Sequence, residues 1–206
     1  MIRRMLAVEP CLLESTRLPA LTRASAGIRG VELAWLVLMG LAAAAGSILL
    51  DFKLKIPGHA ILRCILPMTL GLAMVPRRGA GLIMAATAVG GGLGLQMFRL
   101  PGAGVGALTS LALSGVLLDA AASRVRSGWQ WYLGVTLAAL ATNLVAFGVK
   151  FGAKMAGLDG TMRQPIGAWW PRAAISYPVC GLIAGLLAVA ILFRLRRRDA
   201  DVTEFS

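Results

Sequence analysis

Charged residues are scarce in this chain of 206 residues, at 15% of the total, and aromatic residues are rarer still at 6%. A soluble domain carries roughly a quarter charged residues, so the deficit argues against a water-soluble protein. Hydrophobic residues make up 58% of the chain and gather in long runs. Such a composition predicts an integral membrane protein, and the length suits one compact bundle.

Histidine and cysteine are also in short supply. His59 is the only histidine, and the three cysteines include no close pair. One histidine excludes a metal site built from several, and the cysteine spacing matches neither a zinc motif nor a disulfide framework. No serine lies beside an obvious base, and no acidic pair lies within an apolar run. We therefore expect neither catalysis nor a resident metal or cofactor.

The apolar runs define the predicted architecture. A membrane-spanning helix needs about 20 mostly apolar residues, and six segments qualify or nearly do: Val31–Leu50, Ala60–Val75, Gly81–Phe98, Gly102–Ala122, Trp129–Val149 and Ala173–Phe193. The second is the weakest because it is short and contains Pro67, which kinks a helix. The prediction is an all-α integral membrane protein, a bundle of about six transmembrane helices.

This bundle, over residues 31–193, lies between two predicted tails. Residues 1–30 form either an interfacial helix or a disordered tail, and residues 194–206 form a basic tail. Arginines cluster at Arg77–Arg78, Arg124–Arg126 and Arg194–Arg198. The positive-inside rule places these clusters in the cytoplasm, with both termini, and predicts a multi-pass protein of the plasma (inner) membrane. The rule also accounts for the net charge of +12, so we expect no nucleic-acid partner.

The first apolar segment carries stripes of small residues in "MGLAAAAGS". Gly40 and Ala44, and likewise Ala42 and Gly46, are spaced i, i+4. Such stripes allow helix backbones to approach closely in lipid. They serve either packing within this bundle or docking of another membrane subunit.

Polar residues gather on the side predicted to face outward. The loop "DFKLKIPGH" either connects two helices or closes over a binding pocket, and residues 150–172 are predicted to form a second, long loop there. Asn143 lies mid-span, where it either bonds to another helix or lines a cavity. Tryptophans at this depth serve either as interfacial anchors or as a stacking wall for a ring. The predicted substrate-binding residues are Lys55, His59, Arg63, Gln96, Asn143, Gln164 and Trp169.

Basic residues outnumber acidic ones on this side, which favours an anionic solute. The prediction is a small molecule with a carboxylate or phosphate, held by Arg63 or Lys55 and oriented by His59 and Asn143.

The stretch "LMGLAAAAGSILL" followed by "DFKLKIPGHAIL" resembles the substrate-binding S components of energy-coupling factor transporters, and the resemblance covers Val31–Phe193. It implies a six-helix subunit that captures a vitamin or related micronutrient beneath its outer loops. It also implies partners: a transmembrane coupling subunit, met by the small-residue stripe of the first helix, and separate ATP-binding subunits. The metal-carrying branch begins with a His after the initiating Met, whereas this chain begins "MIRR", which argues against nickel or cobalt.

The alternative function is a non-transport membrane scaffold or assembly factor that binds partner helices through its small-residue stripes.

The predicted orientation can be tested by thiol labelling of intact cells. In a background without the native cysteines, a cysteine at Ser127 or Ser206 should be shielded from an impermeant reagent, because both positions follow arginine clusters. A cysteine at Asp159 should be labelled. The opposite pattern would reverse the orientation and move the predicted binding side to the cytoplasm.

Overall fold

A computed structural model describes residues 28–49, 57–97, 104–125, 128–157 and 166–204. Within these ranges the chain forms six helices: α1 (Gly30–Leu49), α2 (Ala60–Met74), α3 (Ala80–Met97), α4 (Val105–Ala122), α5 (Gly128–Met155) and α6 (Ile166–Glu204). Five of them are long and apolar enough to cross a membrane, and α2 is the shorter exception. The prediction of an all-α membrane bundle is confirmed.

The shortest helix lies at the centre of the bundle. At 15 residues, α2 is about 22 Å long, yet it packs against all five other helices. The others follow one another around it in the order α1, α3, α4, α5, α6. The most deeply buried apolar side chains of α2 are each no more than 1% exposed: Ile61, Cys64, Ile65, Met68 and Leu72. The weakest predicted span is therefore the core of the bundle.

Glycines set the closest helix–helix approaches. A Cβ atom on Gly81 of α3 would collide with the carbonyl oxygen of Gly115 in α4, and the converse also holds. On α6, Gly181 and Gly185 pack against α5, and a Cβ on Gly181 would lie 2.9 Å from the Cα of Leu140. Lipid tails are as apolar as these surfaces, so close van der Waals packing replaces the hydrophobic effect as the force that joins the helices.

Two ends of the bundle can be distinguished. At the end where α2 finishes and α3 begins, called here the Arg77 end, the Arg77 guanidinium contacts the Glu32 carboxylate at 3.0 Å. Asp119 of α4 accepts a hydrogen bond of 2.7 Å from the backbone N–H of Gly79, just before α3. A carboxylate at a helix N-terminus satisfies an otherwise unpaired donor. These contacts fix α1, α3 and α4 to one another at this end.

The opposite end, where α2 begins, is called the His59 end. Here the predicted loop over residues 150–172 is wrong in large part. Helix α5 continues to Met155, and α6 begins at Ile166 and holds Pro171 within it. Lys150, Lys154 and Trp169 therefore lie on helices. Helix α6 also extends through most of the predicted C-terminal tail, to Glu204.

Candidate functional site

A buried asparagine joins three segments near the His59 end. Asn143 of α5 is 0% exposed. Its Nδ2 donates a hydrogen bond of 2.6 Å to the carbonyl oxygen of Tyr177 in α6 and one of 3.2 Å to that of Gly58, before α2. The Asn143 Oδ1 atom is buried and accepts no hydrogen bond from the part of the chain that the structure describes. The sequence left open whether Asn143 bonds another helix or lines a cavity; its nitrogen bonds two segments, and its oxygen stays available.

The contact beside Asn143 requires a glycine. Gly58 has a φ of +86°, a left-handed conformation that side chains disfavour. A Cβ at Gly58 would also lie 2.9 Å from the Cγ of Tyr177. His59 follows directly and is partly buried at the start of α2, where its carbonyl oxygen accepts from the Leu62 N–H at 3.1 Å. The Pro-Gly-His turn is therefore packed onto α6.

An aromatic cluster lies beside Asn143 along α5 and α6. Phe147 stacks on Trp169 with ring centroids 6.0 Å apart, and it packs against Tyr177 at 5.4 Å. Phe151 adds a further contact with Phe147 at 6.0 Å. Trp169 is only 6% exposed, whereas Trp170 is 48% exposed. Of the two tryptophans, Trp169 thus belongs to an internal ring cluster, and Trp170 has the exposure expected of an interfacial anchor.

Two lysines adjoin the same indole ring. The Nζ atoms of Lys150 and Lys154 lie 5.9 Å and 5.2 Å from the centroid of Trp169, within the range of a cation–π interaction. Lys154 is 7% exposed. One of the two lysines is therefore almost fully buried beside the aromatic cluster, where an anion would interact with it more strongly than in water.

The other predicted binding residues that the structure describes form no hydrogen bond or ring contact with Asn143 or Trp169. Arg63 lies on α2, where its Nη1 approaches the carbonyl oxygen of Ser47 in α1 at 3.5 Å. Gln96 is exposed in the last turn of α3. Lys55 and Gln164 lie outside the described residues. Of the seven predicted residues, the structure therefore brings Asn143 and Trp169 into one connected group, and His59 directly follows Gly58, which Asn143 contacts.

The predicted docking residues of α1 divide between two faces. Gly40 and Ala44 are buried within the bundle; a Cβ on Gly91 of α3 would lie 3.5 Å from that of Ala44. Ala42 is exposed and Gly46 is partly exposed. One stripe therefore packs the bundle internally, and the other is available at its surface.

Sequence reasoning missed Phe147, Lys150, Lys154 and Tyr177 as parts of this group. For the three that lie on α5, the signal in the sequence is their helical spacing from Asn143. At 100° per residue, Asn143, Phe147, Lys150 and Lys154 fall within about 60° of one another around α5. The predicted loop after Val149 hides this pattern, because Lys150 and Lys154 lie beyond that residue on the same helix.

Comparisons with protein-family models, with curated proteins and with solved structures find no match. The fold and the apolar helices define the chain as a multi-pass helical membrane protein.

The arrangement is suited to binding. It offers a buried acceptor that contacts the turn leading into α2, and further along α5 an aromatic wall and two ammonium groups. Sites for small molecules commonly combine an apolar or aromatic lining with a few such polar groups.

Gly58→Ala tests how tightly the turn is packed on α6. Both the left-handed backbone and the contact with Tyr177 oppose a Cβ, so we expect a loss of about 2–4 kcal/mol in stability. Gly157→Ala is the matched control, because Gly157 has a φ of +70° and nothing within 4 Å of an added Cβ. It should cost about 1 kcal/mol, the backbone strain alone. Thermal unfolding in detergent measures both, and equal losses would show that the Tyr177 contact does not constrain the turn.

Proposed function

We propose that this protein is the membrane substrate-capture subunit of a micronutrient uptake transporter, and that its solute is small, vitamin-like and anionic. It works with a transmembrane coupling subunit and separate ATP-binding subunits in the plasma membrane. The resemblance of the first helix and its following loop to energy-coupling factor S components motivates this proposal.

The observation that carries the proposal is the Asn143 group. A polar side chain inside a membrane bundle is costly and by default marks a functional position. Asn143 is 0% exposed and its Oδ1 is buried without a donor among the described residues. An unsatisfied buried acceptor has a free-energy cost that a solute's N–H or O–H group would remove. The group lies at the end of the bundle that the arginine distribution predicts to face outward.

Charge supports the anionic character of the solute. The described residues closest to the Trp169 ring include two lysines, and the neighbouring helix α2 contributes Arg63 at the same end. A carboxylate or phosphate entering this region would form charge-assisted contacts, which are stronger than neutral hydrogen bonds.

Docking of the coupling subunit is assigned to the exposed face of α1. Ala42 is exposed, and Gly46 follows one turn later. Small side chains there would let a partner helix approach closely. Gly40 and Ala44 are used internally, so they contribute to this face only by positioning α1 against α3.

The scaffold alternative is favoured by a separate surface. Ala86 and Gly90 are exposed on α3, and nothing lies within 4 Å of a Cβ added to Gly90. A partner helix seated there would need no solute.

Native mass spectrometry of the protein purified in detergent tests capture. The wild type should retain a small anionic molecule, and Trp169→Leu should reduce retention about tenfold because a ring contact is lost. Trp129→Leu is the matched control: Trp129 lies in the first turn of α5, at the Arg77 end, and is 65% exposed. It should retain the molecule as the wild type does. An empty wild type, or equal retention in both variants, would contradict the proposal.

A second pair of variants separates transport from scaffolding. Ala42→Leu should keep the captured molecule and abolish its uptake by cells, whereas Ala190→Leu, a change at an exposed alanine of α6, should preserve both. A scaffold would instead carry no molecule in any variant.

A further inference from the structure

The hydrogen-bonding capacity of Asn143 is already half used. An asparagine side chain can make four hydrogen bonds: two from the N–H donors at Nδ2 and two to the lone pairs of the acceptor Oδ1. The Nδ2 atom donates to the carbonyl oxygens of Tyr177 and Gly58, and Oδ1 has no donor among the described residues. The amide orientation is fixed, because a flipped amide would place its oxygen against two other oxygens. Asn143 can therefore offer a solute only an acceptor.

Because Asn143 offers only a hydrogen-bond acceptor, it restricts which groups of a solute the site can bind. A carboxylate or phosphate beside Oδ1 would meet a partial negative charge, so the predicted role of Asn143 in orienting the anion does not fit the geometry. The matching group is an N–H or O–H donor. The acidic group of the solute must then lie elsewhere.

Helix α5 places a positive region on the same face. Lys150 and Lys154 are seven and eleven residues beyond Asn143, which at 1.5 Å per residue is about 10 Å and 16 Å along the axis. Phe147 lies between Asn143 and the two lysines and stacks on Trp169. Along one helix face the order is therefore acceptor, aromatic wall, cations.

We infer that the captured solute is bifunctional: a hydroxyl or N–H group binds Asn143 Oδ1, and a carboxylate or phosphate binds near Lys150 and Lys154. A flat apolar or ring portion lies between them against Phe147 and Trp169. The two ends of the solute are separated by on the order of 10 Å, the rise from Asn143 to Lys150. This inference rests on the proposed capture function and specifies its substrate class.

A set of three related probes tests both ends. The probes are 3-(4-hydroxyphenyl)propanoate, its 4-methoxy ether and the corresponding neutral 3-(4-hydroxyphenyl)propanol, each titrated against the purified protein while its thermal unfolding is followed. Only the hydroxy acid satisfies both ends. We expect the ether and the neutral alcohol each to bind at least about tenfold more weakly, since each leaves one buried partner unmatched.

A variant of the protein tests binding of the acidic end of the solute separately from binding of its hydroxyl end. Lys150→Met keeps the apolar stem and removes the charge. It should reduce the preference for the acid over the alcohol, with Lys154 retaining part of it, and keep the preference for the hydroxyl over the ether. Equal binding of the hydroxy acid and the ether, equal binding of acid and alcohol, or binding of none of the three would overturn the inference.

Failure here is distinguishable from failure of the proposed function. If the purified protein retains a molecule that lacks either the donor or the acid, capture stands and the bifunctional inference is wrong. If it retains nothing and no probe binds, both are wrong.

Discussion

The interaction on which the site depends is the pair of hydrogen bonds that the Asn143 amide donates inside the bundle. No bulk water reaches a side chain that is 0% exposed, so the amide must find its partners in the protein. It finds them in two carbonyl oxygens that belong to different segments, one at 2.6 Å in α6 and one at 3.2 Å before α2. One side chain on α5 thereby fixes the relative positions of the three elements that surround the aromatic cluster. The same bonds orient its oxygen so that it has no donor among the described residues.

That junction is possible because the helices approach closely around a short central element. Helix α2 contacts all the other helices, and its 15 residues bring the Pro-Gly-His turn down to the level of Asn143. Gly58 completes the contact, since any Cβ would meet Tyr177. Glycines such as Gly81 of α3 and Gly115 of α4 let other pairs of helices approach each other closely. Small residues thus permit the close helix contacts around the site, and polar residues determine its chemistry.

The sequence predicted the class of fold because apolar length is a local property. Each long apolar run became a helix, with ends within a few residues where a polar loop followed directly. Which helices pack against one another is not a local property of the sequence. Hydropathy therefore does not indicate that the weakest predicted span, Ala60–Val75, lies at the centre of the bundle. The ends of α5 and α6 were missed because Lys150, Lys154 and Pro171 lower the hydropathy without ending the helix. For the site, the unusual mid-span Asn143 was visible, but its bonding partners at Gly58 and Tyr177 are 85 and 34 residues away. Only the fold could show which of its atoms has no hydrogen-bond partner in the part of the chain that the structure describes.

Backbone hydrogen exchange, measured in detergent on the wild type and on Asn143→Leu, tests most directly whether this amide organises the site. Leucine has a similar volume and cannot donate, so the turn and the first residues of α2 lose their link to α5. The account predicts that amides in residues 58–62 exchange at least about tenfold faster in the variant, while those in residues 79–83 at the Arg77 end keep their wild-type rates. Identical exchange in residues 58–62 of the two proteins would contradict it.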